Sequence, residues 1–200
     1  MFIIRSNLGV ETKMTIPGYN IRKAAQVTAF FAIKQGGAIE VLKVAKLLYL
    51  ADREFLSRYN FPILFDCFVS MPHGPVTSMT LNYINGMEEQ RDHWEDFVVG
   101  RAGNKVGVSR QDMSFDELDE LSDAEVHVLE ATWDQFGHMS SWAVRNYTHA
   151  NCPEWEDPHG SSNPIPYERV LKFLHKENSA EIADEIESQR SLDKFLEQAG

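Results

Sequence analysis

The segment from Ile39 to Ser57 sets Val41, Leu42, Val44, Ala45, Leu47, Leu48, Tyr49, Leu50 and Ala51 on every side of a helix instead of along one stripe. A helix that is apolar all round must lie in the middle of a domain, so other elements have to cover it. The segment is too long for a typical strand, and its Ala and Leu content favours helix. Lys46 interrupts the run and Asp52-Arg53 ends it. A charge in such a setting must be paired or must reach water along its stem. A structural ion pair and a functional group both meet that requirement.

The covering elements are predicted from period and punctuation. Asn20 is a good N-cap for a helix carrying Ile21, Ala24, Ala25, Thr28, Phe31 and Ala32, which stops at Gly36-Gly37. Met71-Pro72-His73-Gly74-Pro75 reads as irregular, with Pro75 opening a helix that carries Val76, Met79, Thr80 and Tyr83. Phe97 to Val99 and Lys105 to Val108 flank a five-residue loop as a small β-hairpin. Ser122-Asp123-Ala124-Glu125 is a capping box for a helix with Val126, Leu129, Trp133 and Phe136 inward and Gly137 at its end. Ser140 or Ser141 caps the next helix, and the Pro- and Gly-rich stretch from Asn151 to Pro166 is a long loop. Pro166 opens a helix with Val170, Leu171 and Leu174 inward, and Ser179 caps an acidic tail. The expected fold is mainly α: a compact single-domain helical bundle around a buried central helix, with one small β-hairpin. Residues 1–19 read as a disordered leader with Met14 as a second possible start, 20–176 as the helical domain and 177–200 as an acidic helical tail.

Composition narrows the function. A hydrophobic share of 43% over 200 residues is enough for one good core, since a chain of this size buries roughly 70% of its unfolded surface. The net charge of -11 repels phosphate backbones, which argues against direct nucleic-acid binding. Cys67 and Cys152 stand too far apart in sequence to suggest a disulfide framework, and no stretch approaches the ~18 apolar residues of a membrane span. The Met1 to Arg5 run is too short for a signal peptide. The expected location is the cytoplasm, with no membrane partner.

No phosphate-cradling loop, nucleophile elbow or zinc-protease motif is present. His149-x-x-Cys152 with His159 offers three potential zinc ligands, but structural zinc takes four, so neither metal nor cofactor is expected. Cys67 near His73 reads as a structural cysteine, not a nucleophile. His73-Gly74-Pro75, placed at a helix start, could receive an acidic or carbonyl group or could be a rigid turn. No catalytic residue is assigned.

Lys46-Leu47-Leu48-Tyr49-Leu50-Ala51-Asp52-Arg53, followed by Asp66 to Val76 with its Gly74-Pro75-Val76 turn, resembles the signature of the Panacea domain, also called the SocA-like or phage-associated domain. Phe136-Gly137-His138-Met139-Ser140, Thr148-His149, Trp155 and Pro164-Ile165 are similar to later landmarks of that family, with Phe136 in place of its usual tyrosine. The resemblance covers roughly residues 20 to 175. It implies an antitoxin that neutralises a toxin encoded beside it by direct protein contact; the alternative is an adaptor that delivers its toxin or client to a protease. An enzyme of unknown chemistry around His73 or the His149 loop is the rival from another class. The partner implied is a cognate protein toxin, which the acidic surface would suit if it is basic. The partner-binding candidates are Lys46, Tyr49, Asp52, Arg53, His73, Gly74, Pro75, Thr148, His149 and Trp155. In the tail they are Ile182, Ile186, Phe195 and Leu196, which could enter a groove on the toxin or pack on their own domain.

Overall fold

A computed structural model of the chain describes residues 18–89 and 91–199, with side chains through residue 191. Most of the expected leader, and the Phe195 and Leu196 side chains, lie outside the described residues. In chain order the elements are α1 (Ile21–Lys34), β1 (Ala38–Glu40), α2 (Val41–Tyr59), β2 (Phe68–Met71), β3 (Gly74–Thr77), α3 (Ser78–Ile84), β4 (Val98–Ala102) and β5 (Lys105–Val108). A short 3-10 turn at Phe115–Glu117 precedes α4 (Asp123–Phe136), α5 (Ser141–Asn151), β6 (Asn163–Ile165), α6 (Tyr167–Phe173) and α7 (Ser179–Ala199).

α2 is the central element. Val44, Leu47, Leu48, Tyr49, Ala51 and Leu56 are all buried to within about one percent, and α1, α4, α5, α6 and the β3 strand pack around it. The helices that enclose it start where the caps place them. Asn20 Oδ1 accepts from Lys23 N at 3.0 Å, the Ser122 and Glu125 side chains form a reciprocal capping box, and Ser140 Oγ accepts from Ala143 N at 3.2 Å. α2 itself ends at Asn60, whose left-handed conformation (φ 63°) turns the chain away. α7 joins the same core: Ile186 is fully buried and Ala183 nearly so.

The expectation of a mainly helical bundle with a single hairpin is overturned. Among the described residues helix makes up 51% and strand 13%, and the strands form two three-stranded antiparallel sheets, ordered β1-β5-β4 and β3-β2-β6. The fold is mixed α/β. The strands escape period counting because each has three to five residues and two of them pair across long gaps in sequence. β1 takes Ile39 and Glu40 out of the expected central helix and, with Ala38, pairs them with Lys105 to Gly107; β6 takes Asn163 to Ile165 out of the expected loop and pairs them with Phe68 to Ser70. The hairpin between β4 and β5 closes directly from Ala102 to Lys105, with an irregularity between Val99 and Ala102, so its loop is shorter than the expected five residues.

The stretch expected to be irregular is itself a hairpin. Met71 pairs with Gly74 across the turn at Pro72-His73, and Pro75 lies opposite Ser70. Pro75 and Pro164 both occupy edge strands, where a missing N–H interrupts no ladder. α3 therefore starts at Ser78 instead of Pro75, and its cap comes from elsewhere in the chain. The buried Asp66 carboxylate accepts from Met79 N at 2.9 Å, Thr80 N at 2.8 Å and Thr80 Oγ1 at 2.7 Å.

Candidate functional site

The charged and polar residues of α2 reach three different destinations. Lys46 is 1% exposed, and its ammonium donates to the Pro75 carbonyl at 2.8 Å. Burial pulls its pKa down to about 7; Cys152 works against that shift and the Arg145 cation adds to it. One turn further on, the Tyr49 hydroxyl donates to Glu154 Oε1. Arg53 grips the same carboxylate with Nε at 2.6 Å from Oε1 and Nη2 at 3.3 Å from Oε2. Glu154 is completely buried, and burial works against the Arg53 charge, but its hydrogen bond and charge pairing with Glu154 outweigh that and hold the guanidinium protonated. Asp52 faces the other way. Its Oδ1 accepts from the Ile63 and Leu64 amides and so fixes the loop after α2, while Oδ2 has no partner among the described residues. Burial raises the Asp52 pKa to about 7.

The tip of the β2–β3 hairpin is clipped to α5 and to the chain that follows it. Trp155 Nε1 donates to the Met71 carbonyl at 2.9 Å, and the Trp155 ring packs on His149 with centroids 3.9 Å apart. Gly74 has φ 97°, and a Cβ there would meet Thr148 Oγ1 at 2.8 Å and the His149 ring at 3.1 Å. Only glycine fits such a contact in that backbone conformation. Thr148 is buried, with its hydroxyl donating back to the Arg145 carbonyl at 2.8 Å. His73, at the turn, stands edge-on to Trp142 with centroids 5.7 Å apart. Burial, followed by the Arg145 and Lys46 cations, lowers the His149 pKa and keeps its imidazole neutral at pH 7.

Lys46, His73, Gly74, Pro75, Thr148, His149 and Trp155 therefore meet at one junction, with Tyr49 and Arg53 on the adjoining face of α2. Asp52 does not join them. In the tail, Ile186 is buried in the core and Ile182 packs against it. Beside the junction is an open cavity of about 720 Å³, lined by Leu42, Lys46, His73, Val76, Ser141 and Trp142 among others. Trp142 is 58% exposed at its edge, an unusual position for so large an apolar side chain. Sequence reasoning missed Trp142, Ser141 and Glu154. A helical tryptophan reads as core, and a carboxylate in so acidic a chain attracts no notice; the Arg53 charge at the end of an apolar helix was the one sign that a carboxylate had to be near.

The remaining candidates are placed apart. Among the described residues no group of three His, Cys, Asp or Glu side chains is arranged to hold a metal ion. Cys152 is 1% exposed, and burial, reinforced by Glu154, pushes its thiol up to about 12. Cys67 lies 3.7 Å from Arg190 of α7, and burial raises its pKa as well. Both cysteines are thiols at neutral pH, short of the thiolate that a nucleophile or metal ligand requires.

The family model of the SocA-like antitoxins, the Panacea domain, matches residues 44–156. The chain belongs to that family. The matched stretch is narrower than the resemblance read from the sequence, yet it holds every residue of the junction, from Lys46 to Trp155, together with Trp142 and Glu154. No curated protein and no solved structure gives a significant match. Among the described residues no helix of this Panacea-domain chain is long and apolar enough to cross a membrane.

Proposed function

We propose that this chain is the antitoxin of a toxin–antitoxin pair, that it neutralises a protein toxin by binding it directly and without catalysis, and that the cavity edged by Trp142 is the docking face. Membership of the Panacea family carries the reading. The geometry supports it because several polar residues of the family signature are engaged inside the protein: Arg53 and Tyr49 on Glu154, Asp52 on two amides through Oδ1, Trp155 on Met71. The Trp155 bond to Met71 fixes one wall of the cavity, and the cavity's edge carries an exposed tryptophan. Exposed aromatic side chains at the edge of a concave apolar surface are the usual anchors of protein interfaces. The net charge of -11 would speed encounter with a basic toxin.

Co-expression with the protein encoded beside it tests this. The expected outcome is that the neighbour alone arrests growth, that this chain restores growth, and that the two purify as a complex whose association slows as salt rises. Rescue accompanied by protease-dependent loss of the neighbour would replace direct neutralisation with the adaptor mechanism.

A further inference from the structure

The lining of the cavity divides by character. Leu42, Ala45, Val76 and Leu81 make apolar walls, and hydrogen-bond donors gather around them. Lys46 is the first donor: a buried ammonium with one carbonyl acceptor and no carboxylate among the charges acting on it. An ammonium has three N–H groups to satisfy. Ser141 is the second, 5% exposed with a hydroxyl that has no hydrogen-bond partner among the described residues. Two helix starts complete the set. Glu40, Val41 and Leu42 at the head of α2, and Ser140, Ser141 and Trp142 at the head of α5, all line the cavity. First-turn N–H groups have no intrahelical acceptor and form the positive end of the helix dipole. The Val41 N–H is already taken by the Asn104 carbonyl at 2.8 Å. Among the described residues Glu40 is the only carboxylate on the lining, against Lys46 and Arg101, and Arg101 is held by Asn85 and Gly103. In a chain with a net charge of -11 this is a local reversal of sign.

We propose that this cavity is an acceptor site for a carboxylate carried on an apolar body, and that the carboxylate is an acidic residue or chain end of the toxin. The proposal rests on the reading of the chain as a directly binding antitoxin. It adds the chemistry by which that partner is recognised: the apolar neighbours of the carboxylate fill the walls and stack on Trp142, and the carboxylate takes the free donors of Lys46 and Ser141. An acidic surface attracts a basic toxin without selecting one, whereas a single buried charge pair fixes register and excludes partners that lack the group.

Octanoate and octanamide have the same apolar body and differ in charge, so titrating the full chain with each by calorimetry isolates the carboxylate. The expected result is saturable octanoate binding at least tenfold tighter than octanamide, with the difference abolished in Lys46→Met. Because Lys46 is buried, Ser141→Ala is the second variant; it removes one hydroxyl and should weaken octanoate severalfold while leaving octanamide unchanged. Octanoate should also displace the toxin from its complex. Equal affinity for octanoate and octanamide, or no binding of either, overturns the site. A toxin complex that ignores octanoate and tolerates Lys46→Met overturns the toxin as the source of the carboxylate and leaves the antitoxin reading standing. Octanoate selectivity in a chain that contacts no toxin does the reverse: the site stands, its ligand is a free acid, and the antitoxin reading falls.

Discussion

Towards the end of α2, Tyr49, Asp52 and Arg53 are each tied to protein partners, whereas one turn earlier Lys46 stops on a single carbonyl beside an open cavity. The two stretches share a helix and a place in the family signature, so charge alone does not separate a structural residue from a binding one. What separates the Arg53–Glu154 pair from Lys46 is whether the group's hydrogen bonds are complete. Arg53 and Glu154 form a closed unit whose value is to position α2 against the chain after α5. Lys46 helps hold the hairpin through Pro75 and keeps donors in reserve.

The largest break in that comparison should come from the closed end. Glu154→Leu would leave the buried Tyr49 hydroxyl and the half-buried Arg53 guanidinium without their acceptor, at a cost of about 3 kcal/mol, the lower end for breaking a buried pair from one side. Urea unfolding would show the loss as a lower midpoint. Gly74→Ala combines a strained positive φ with a Cβ set against Thr148, at a cost of about 2–3 kcal/mol. Its thermal midpoint should fall, and hydrogen exchange should rise first in the β2–β3 hairpin and α5.

Asp52 gives a smaller effect with a definite sign. Its carboxyl pKa lies near 3.8 in the unfolded chain and about 7 in the folded one, the neighbouring Asp66 and Glu125 adding to the effect of burial. Between those values the folded state binds more protons, so the stability it contributes is complete below pH 4 and is lost as pH rises through 7. The slope cannot exceed about 1.4 kcal/mol per pH unit for one group. Denaturation midpoints measured from pH 4 to 8 should show that decline in the natural chain and a flatter profile in Asp52→Asn. Lys46→Met should change stability least, by about 1 kcal/mol or less, because removing a buried charge offsets the lost bond to Pro75. A cost of the size seen at Glu154 would place Lys46 in the closed class.

How far the sequence reached can be judged residue by residue. The central helix was legible because Val44, Leu47, Leu48 and Ala51 leave no polar face, and the starts of α1, α4 and α5 because Asn20, Ser122 and Ser140 are local caps. The sheets were not legible. Asn163 to Ile165 becomes a strand only because Phe68 to Ser70 lies beside it, and nothing local announces that pairing. The start of α3 was misjudged at Pro75 for the same reason, since its cap is supplied by Asp66 from the preceding loop. At the candidate site, the sequence could order Lys46, His73 and His149 along the chain but could not bring them together. Nor could it find Trp142, whose exposure follows from the packing of the hairpin against the head of α5.

Trp142 also provides the most direct test of the central claim that the cavity face binds the partner. More than half of its surface is exposed, so Trp142→Ala should change the unfolding free energy by about 0.5 kcal/mol or less. The decisive quantity is the Kd of the complex with the neighbouring toxin, measured for both forms. A rise of about thirtyfold, the 2 kcal/mol expected of an interface anchor, is the result this account predicts. An unchanged Kd for a folded Trp142→Ala chain would contradict it and place the toxin on another face.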